Sequence, residues 1–275
     1  MLKQRVITAL VLIPVALWLV LFADHSVFAL AMILVVSLAA FEWGMLCGLN
    51  KAGQIIFSLI MLVGLYAMWQ FMLHVEIPLI MFGLVSLVWL GLTVYLVAKR
   101  SPIELSEGVN YVQLPVGIIL LAAAWTSIVN LHAVENHGSM LVMFLLVLIW
   151  TADTAAYFAG HKFGKHKLSP VVSPGKTWEG VIGAFTAVSI IGFFMTEYDF
   201  FAEINPFLLS FVGVAVAAVS VGGDLFESKI KRERGVKDSG NLLPGHGGVY
   251  DRIDSLIAAA PVYLFGILLI TGGEL

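Results

Sequence analysis

Apolar residues run along the chain in nine long blocks that are nearly free of charge, with short polar segments between them. The blocks lie near Val6 to Phe22, Val27 to Leu46, Ile55 to Leu73, Ile77 to Ala98, Val112 to Asn130, Met140 to Ala159, Gly180 to Thr196, Phe207 to Phe226 and Ser255 to Thr271. Each holds roughly 17 to 22 residues, enough for a helix to cross about 30 Å of hydrocarbon at about 1.5 Å per residue. The first, seventh and ninth are the shortest. With 60% hydrophobic and 12% charged residues and a mean hydropathy of +0.98, no water-soluble fold could cover this chain with polar surface. The pattern predicts an all-α, polytopic integral membrane protein of about nine transmembrane helices.

The polar segments predict its orientation. A cytoplasmic N-terminus and alternating sides put Lys3, Arg5, Lys51, Lys99, Arg100, Lys162, Lys165, Lys167, Lys176 and the six bases from Lys229 to Arg252 on one face, which accounts for all fifteen Lys and Arg. The opposite loops, around Asp24, Glu76, Glu135, Glu197 to Glu203 and Glu274, carry acids and no bases. Such asymmetry marks the cytoplasmic side of a cell membrane. No small-x-small cleavage site follows the first block, so it is expected to stay attached. The single cysteine, Cys47, excludes a disulfide framework or a Cys-rich zinc site.

Charge is spread unevenly. The segments 161–179 and 227–253 hold ten of the fifteen bases, which predicts one membrane-embedded domain over 1–275, with scaffold spans in 1–130 and catalytic spans and loops in 139–275. Gly44 and Gly48 stand at helix-packing spacing and predict a close helix contact, for which a homodimer is one source. Glu42 is the one mid-span charge of the scaffold.

Chemistry concentrates in S-V-G-G-D-L-F-E-S-K-I-K-R-E-R-G-V-K-D-S-G-N-L-L-P-G-H-G-G-V-Y-D-R-I-D, from Ser220 to Asp254. On a helix, Asp224 shares a face with Ser228 and Lys231, and Lys229 and Arg232 lie on the adjoining face. An acid at the end of an apolar span is costly unless neutralised, so it marks a functional site. Asp224 and Asp251, on two helix ends, are the first candidates to hold Mg²⁺, with Asp153 and Asp254 as further ones; waters and phosphate oxygens would complete the octahedron. The glycines of Pro244-Gly245-His246-Gly247-Gly248 allow a backbone to approach an anion. His246 is read either as a general base or as a partner of the loop or a phosphate. Asp153, inside the sixth block, needs a metal, a lysine from 161–179, or a network with Thr151, Thr154 and Tyr157. Ser173-Pro174-Gly175-Lys176-Thr177 reads as a phosphate-gripping turn or as a surface turn touching lipid headgroups.

Three blocks, S-P-G-K-T-W-E-G, G-G-D-L-F-E-S-K-I-K-R and K-D-S-G-N-L-L-P-G-H-G-G-V-Y-D-R-I-D-S, together resemble the signature of phosphatidate cytidylyltransferases, also called CDP-diglyceride synthases. The resemblance extends to W-T-A-D-T-A-A-Y at Trp150 to Tyr157 and to the multi-span layout, and no matching motif stands in the first hundred residues. It implies transfer of CMP from CTP to phosphatidic acid with Mg²⁺, and a second cation is conceivable in the same site. Asp224, Asp251, Lys231 and Arg252 would then be catalytic. Ser173, Lys176, Thr177, Ser228, Lys229, Arg232, Lys237, Asp238, His246, Gly247 and Gly248 would bind substrate. Two other readings stay open: a different CTP-dependent lipid enzyme, such as a polyprenol kinase or an archaeal-type lipid cytidylyltransferase, and a transporter of an anionic metabolite. Against the transporter, the charges crowd one face and no repeat is visible.

Overall fold

The computed structural model describes residues 2–75 and 77–273; Glu76 and Glu274, and the side chains of Lys3, Arg5 and Asp199, lie outside the described residues. Among the described residues there are nine α-helices: α1 (Leu2–Phe22), α2 (His25–Leu46), α3 (Lys51–Met72), α4 (Leu79–Ala98), α5 (Gln113–His132), α6 (Gly138–Phe163), α7 (Trp178–Phe194), α8 (Pro206–Glu233) and α9 (Tyr250–Ile270). Each falls on one of the apolar blocks. By length and composition eight of them can cross a membrane, and the described apolar part of α1, Thr8–Phe22, is shorter.

α8 runs past its apolar block to Glu233, in line with the helix face expected for Asp224, Ser228 and Lys231, and Glu227 with Lys231 and Lys229 with Glu233 form i,i+4 ion pairs along the polar turns. One element differs from the sequence expectation. The segment 161–179 is not all turn: β1 (Lys167–Ser169) pairs antiparallel with β2 (Ser173–Thr177) in a small hairpin before α7. Thr177 then caps α7, its Oγ1 accepting from Gly180 N at 3.2 Å.

α8 and α9 pack together along the middle of the bundle, with α4, α5 and α7 against them and α2 against α5 and α9. Buried rings tie four helices at one level. Trp43 of α2 lies 5.4 Å from Tyr250 of α9 and 5.9 Å from Phe226 of α8, and Trp89 of α4 meets Phe226 edge-on at 5.7 Å. α3 rests on α2 and presents Ile56, Leu59, Ile60 and Val63 outward, as a helix facing lipid does. Gly44 and Gly48 are spent inside the chain. A Cβ on Gly44 would stand 3.3 Å from Gln54 Cα of α3, and Gly48, at φ 87°, abuts the Arg234 guanidinium and Gly108 O. Arg234 donates to Leu46 O, Ser106 O and Gly108 O, and so fastens the end of α8 to the scaffold.

Candidate active site

The site begins with two glycines. At Gly222 a Cβ would stand 1.9 Å from Thr93 Oγ1 of α4, and at Gly223 one would stand 2.6 Å from the backbone O of Asp254. No larger residue fits either place, so α8 closes onto α4 and α9 just where Asp224 begins its next turn. The consequence is a cluster: one carboxylate oxygen from each of Asp224, Glu227 and Asp254 lies within 4.8 Å of the others.

Three carboxylates so close repel unless cations neutralise them. Lys176 of the hairpin reaches Asp224 Oδ2 at 2.7 Å, and Lys231 reaches Glu227 Oε2 at 2.8 Å. Ser228 donates to Asp224 Oδ1 at 3.2 Å, and Asp254 Oδ1 accepts from Ser255 N at 2.7 Å. Glu227 Oε1 is buried and has no hydrogen-bond partner among the described residues. An orphaned buried carboxylate oxygen beside two more acids suits a hard divalent cation, which takes a few carboxylates and fills its octahedron from water and phosphate.

Asp251 is used differently. Its Oδ1 pairs with Lys231 at 2.7 Å, while its Oδ2 accepts from Ser239 N at 2.9 Å and Gly248 N at 2.8 Å. Glu42, a buried carboxylate of α2, accepts from Val249 N at 3.0 Å, Tyr250 N at 2.8 Å and Ser239 Oγ at 3.1 Å. Asp251 N donates to Ser239 Oγ at 3.2 Å. The amides of residues 248 to 251, which a helix start leaves without intrahelical acceptors, are therefore all occupied by the protein's own side chains.

Around these groups lies a cavity of about 800 Å³ at the end of the bundle that carries the hairpin. Of the residues singled out in the sequence, Asp153, Lys176, Thr177, Asp224, Ser228, Lys231, Arg232, Lys237, Asp238, Asp251, Arg252 and Asp254 line it. One wall belongs to α6 and the Gly164 that caps it, where Asp153, Tyr157, Gly160, His161 and Gly164 recur at helical spacing, and the Tyr157 and His161 rings lie parallel to within 9°. For Asp153 the neighbouring charges are Lys176 and Asp224. Thr151 and Thr154 line a separate shallow groove, whereas Tyr157 and Lys176 line the same cavity as Asp153.

The chain belongs to the cytidylyltransferase family. A match to the family described as "Cytidylyltransferase family" covers residues 3–270. The chain is 42% identical over 268 residues to a phosphatidate cytidylyltransferase of Pseudomonas aeruginosa, covering 96% of each chain. It is 36% identical to one of Haemophilus influenzae, over 96% of this chain and 98% of the relative, and 30% identical to one of Bacillus subtilis, over 96% of each.

In this member of the cytidylyltransferase family, the three sequence blocks converge on a single cavity, but five of the named positions do not line it. Ser173 pairs with Ser169 in the hairpin. Lys229 turns to Glu233, which in turn accepts from Gln113. The His246 Nδ1 is buried and has no hydrogen-bond partner among the described residues, and His246 is not among the lining residues. A Cβ on Gly247 would meet Asp251 Oδ2 at 2.6 Å, and one on Gly248 would meet Ser239 Oγ at 2.2 Å. The predicted anion cradle is filled by the protein's own carboxylates. Likewise, the acid that meets Asp224 and Asp254 is Glu227, while both oxygens of Asp251 are taken by Lys231 and two amides. Glu227 stands three residues after Asp224, a helical neighbour by spacing alone, which is the signal that could have found it.

Proposed function

We propose that this chain transfers the cytidylyl group of CTP to phosphatidic acid, giving CDP-diacylglycerol and pyrophosphate. The observation that carries the reading is the meeting, in one cavity, of a close carboxylate trio with Lys176, Lys231, Arg232, Lys237 and Arg252. Acids suited to a divalent cation beside bases suited to phosphate oxygens match two polyanionic substrates. The relatives' names support the same substrates.

A phosphate monoester has its second pKa near about 6, so at neutral pH the lipid phosphate is already a charged nucleophile. One of its oxygens attacks the α-phosphorus of CTP, the bond from that phosphorus to the bridging oxygen breaks, and the electron pair leaves with pyrophosphate. No proton has to be removed, which agrees with the position of His246 outside the cavity. What the chain must supply is approach and charge. Lys231, Arg232, Lys237 and Arg252 face the cavity and neutralise phosphate oxygens, so that two anions can come within bonding distance. Asp224, Glu227 and Asp254 would hold Mg²⁺, which when bound offsets negative charge on the nucleotide phosphates and the leaving group. Lys176, paired with Asp224, keeps that carboxylate ionised and placed. The charge asymmetry of the loops supports a cytoplasmic position for this face, where CTP arrives from solution and the lipid phosphate already lies at headgroup depth.

The deciding experiment incubates the purified chain with phosphatidic acid, Mg²⁺ and CTP labelled at its α-phosphate, then extracts the lipid. Label in the lipid as CDP-diacylglycerol is expected. No label in the lipid overturns the reading, and a parallel incubation with CTP labelled at its γ-phosphate then separates a kinase, which labels the lipid, from a non-enzyme, which does not. Asp224→Asn and Glu227→Gln are each expected to lower turnover by about 100-fold or more, the scale of losing a preorganised charge partner in a water-poor site.

A further inference from the structure

We infer that Glu42, on a helix of the scaffold half and outside the cavity, is a positioning residue that sets the geometry of Asp251 and Lys231 through Ser239. Glu42 is 1% exposed and, among the described residues, forms no ion pair. A carboxylate in a transmembrane helix with no cation is costly to keep, and hydrogen bonds from neutral donors offset that cost here. Oε1 takes the Val249 amide, and Oε2 takes the Tyr250 amide and the Ser239 hydroxyl. Glu42 thus sets its carboxylate at the start of α9, where the first amides lack intrahelical acceptors.

The segment that wraps it is shaped to admit it. A Cβ on Gly240 would stand 2.4 Å from Glu42 Oε1, and one on Gly248 would stand 2.3 Å from Oε2. From Glu42 a continuous chain of contacts leads inward. Ser239 bonds Asp251 twice, through its own amide and by accepting from the Asp251 amide; Asp251 holds Lys231; Lys231 holds Glu227 of the carboxylate trio. Outer-layer partners of this kind commonly account for about 10- to 100-fold in activity or metal affinity without touching substrate.

The test uses the full-length chain purified in detergent, with Ser239→Ala and Glu42→Gln. In Glu42→Gln the new amide group faces a backbone N–H of Val249 or Tyr250 in either orientation while the remaining oxygen keeps the other, so the grip on α9 is weakened. Ser239→Ala removes only the bridging hydroxyl. Three quantities are measured: kcat and KM for CTP, melting temperature, and hydrogen exchange of the amides of residues 248 to 251. Both variants are expected to lower kcat by about 10-fold or more while KM for CTP stays within about 3-fold, and to speed exchange at those amides selectively. Wild-type kcat in Glu42→Gln overturns the inference. So does a fall in melting temperature with unchanged exchange at 248 to 251 and a fully active Ser239→Ala, because that is a packing role alone. The inference rests on the proposed reaction for its kinetic arm. A wild-type chain that made no CDP-diacylglycerol would sink that reaction, whereas the exchange arm would still decide whether Glu42 holds the start of α9.

Discussion

At the level of single side chains, Lys176 has a divided role. It reaches from the hairpin to Asp224 at 2.7 Å, so it neutralises one carboxylate of the trio and lies where a phosphate would arrive. Lys176→Met is expected to raise KM for CTP by about 10-fold, the worth of one charge-assisted contact, with a smaller fall in kcat. Steady-state kinetics check this, and unchanged constants would make Lys176 a surface residue. Which side chains could be read in the sequence follows from how near their partners are. Asp224, Ser228 and Lys231 share a helix face, and periodicity shows that directly. Glu42 was visible only as an unexplained mid-span charge, because its partners stand 197 to 208 residues away. For Gly247 and Gly248, composition suggested an open loop awaiting an anion; small residues look the same in a sequence whether a ligand or the protein's own carboxylate occupies the space.

Among the secondary elements, the contact of α8 with α9 does most to build the site. Gly223→Ala would drive a methyl group to 2.6 Å from the Asp254 carbonyl oxygen, and the helices must part to admit it. The expected cost is about 1–3 kcal/mol of stability, seen as a lower melting temperature. A fall in turnover should accompany it, because Asp254 moves away from Asp224. Helices were legible because a bilayer demands about 20 apolar residues for each crossing, a signal stronger than any propensity. The polar last turns of α8 were legible through the shared face of Asp224, Ser228 and Lys231, although ion pairs rather than hydropathy hold them. The hairpin was not legible: β1 has three residues and β2 five, with Pro174 and Gly175 inside, too short and too broken to show alternation.

Across the whole molecule, the charge distribution assigns the cavity to one side of the membrane, and Cys47 makes that testable. It is buried and outside the spans, and burial pushes its thiol up to about 12. At pH 8 its thiolate fraction is then on the order of 10⁻⁴, so it is nearly inert to maleimides. The chain thus serves as its own silent background. A single cysteine introduced at Asn241, in the segment before α9, should react with an impermeant maleimide only after the cells are opened. One introduced at Glu203, at the far end of the bundle, should react in intact spheroplasts. The reverse pattern would put the cavity outside.

The grip of Glu42 on the start of α9 also governs when the enzyme comes into being. Synthesis runs from α2 towards α9, so the carboxylate enters the bilayer long before the amides that will receive it have been made. Every intermediate length of nascent chain therefore carries a carboxylate without its hydrogen-bond donors, which in hydrocarbon takes up a proton, and it lacks Asp251 and Asp254, which stand on the last helix. On the proposed reading, arrival of that helix completes both the hydrogen bonds and the site in one late event of assembly.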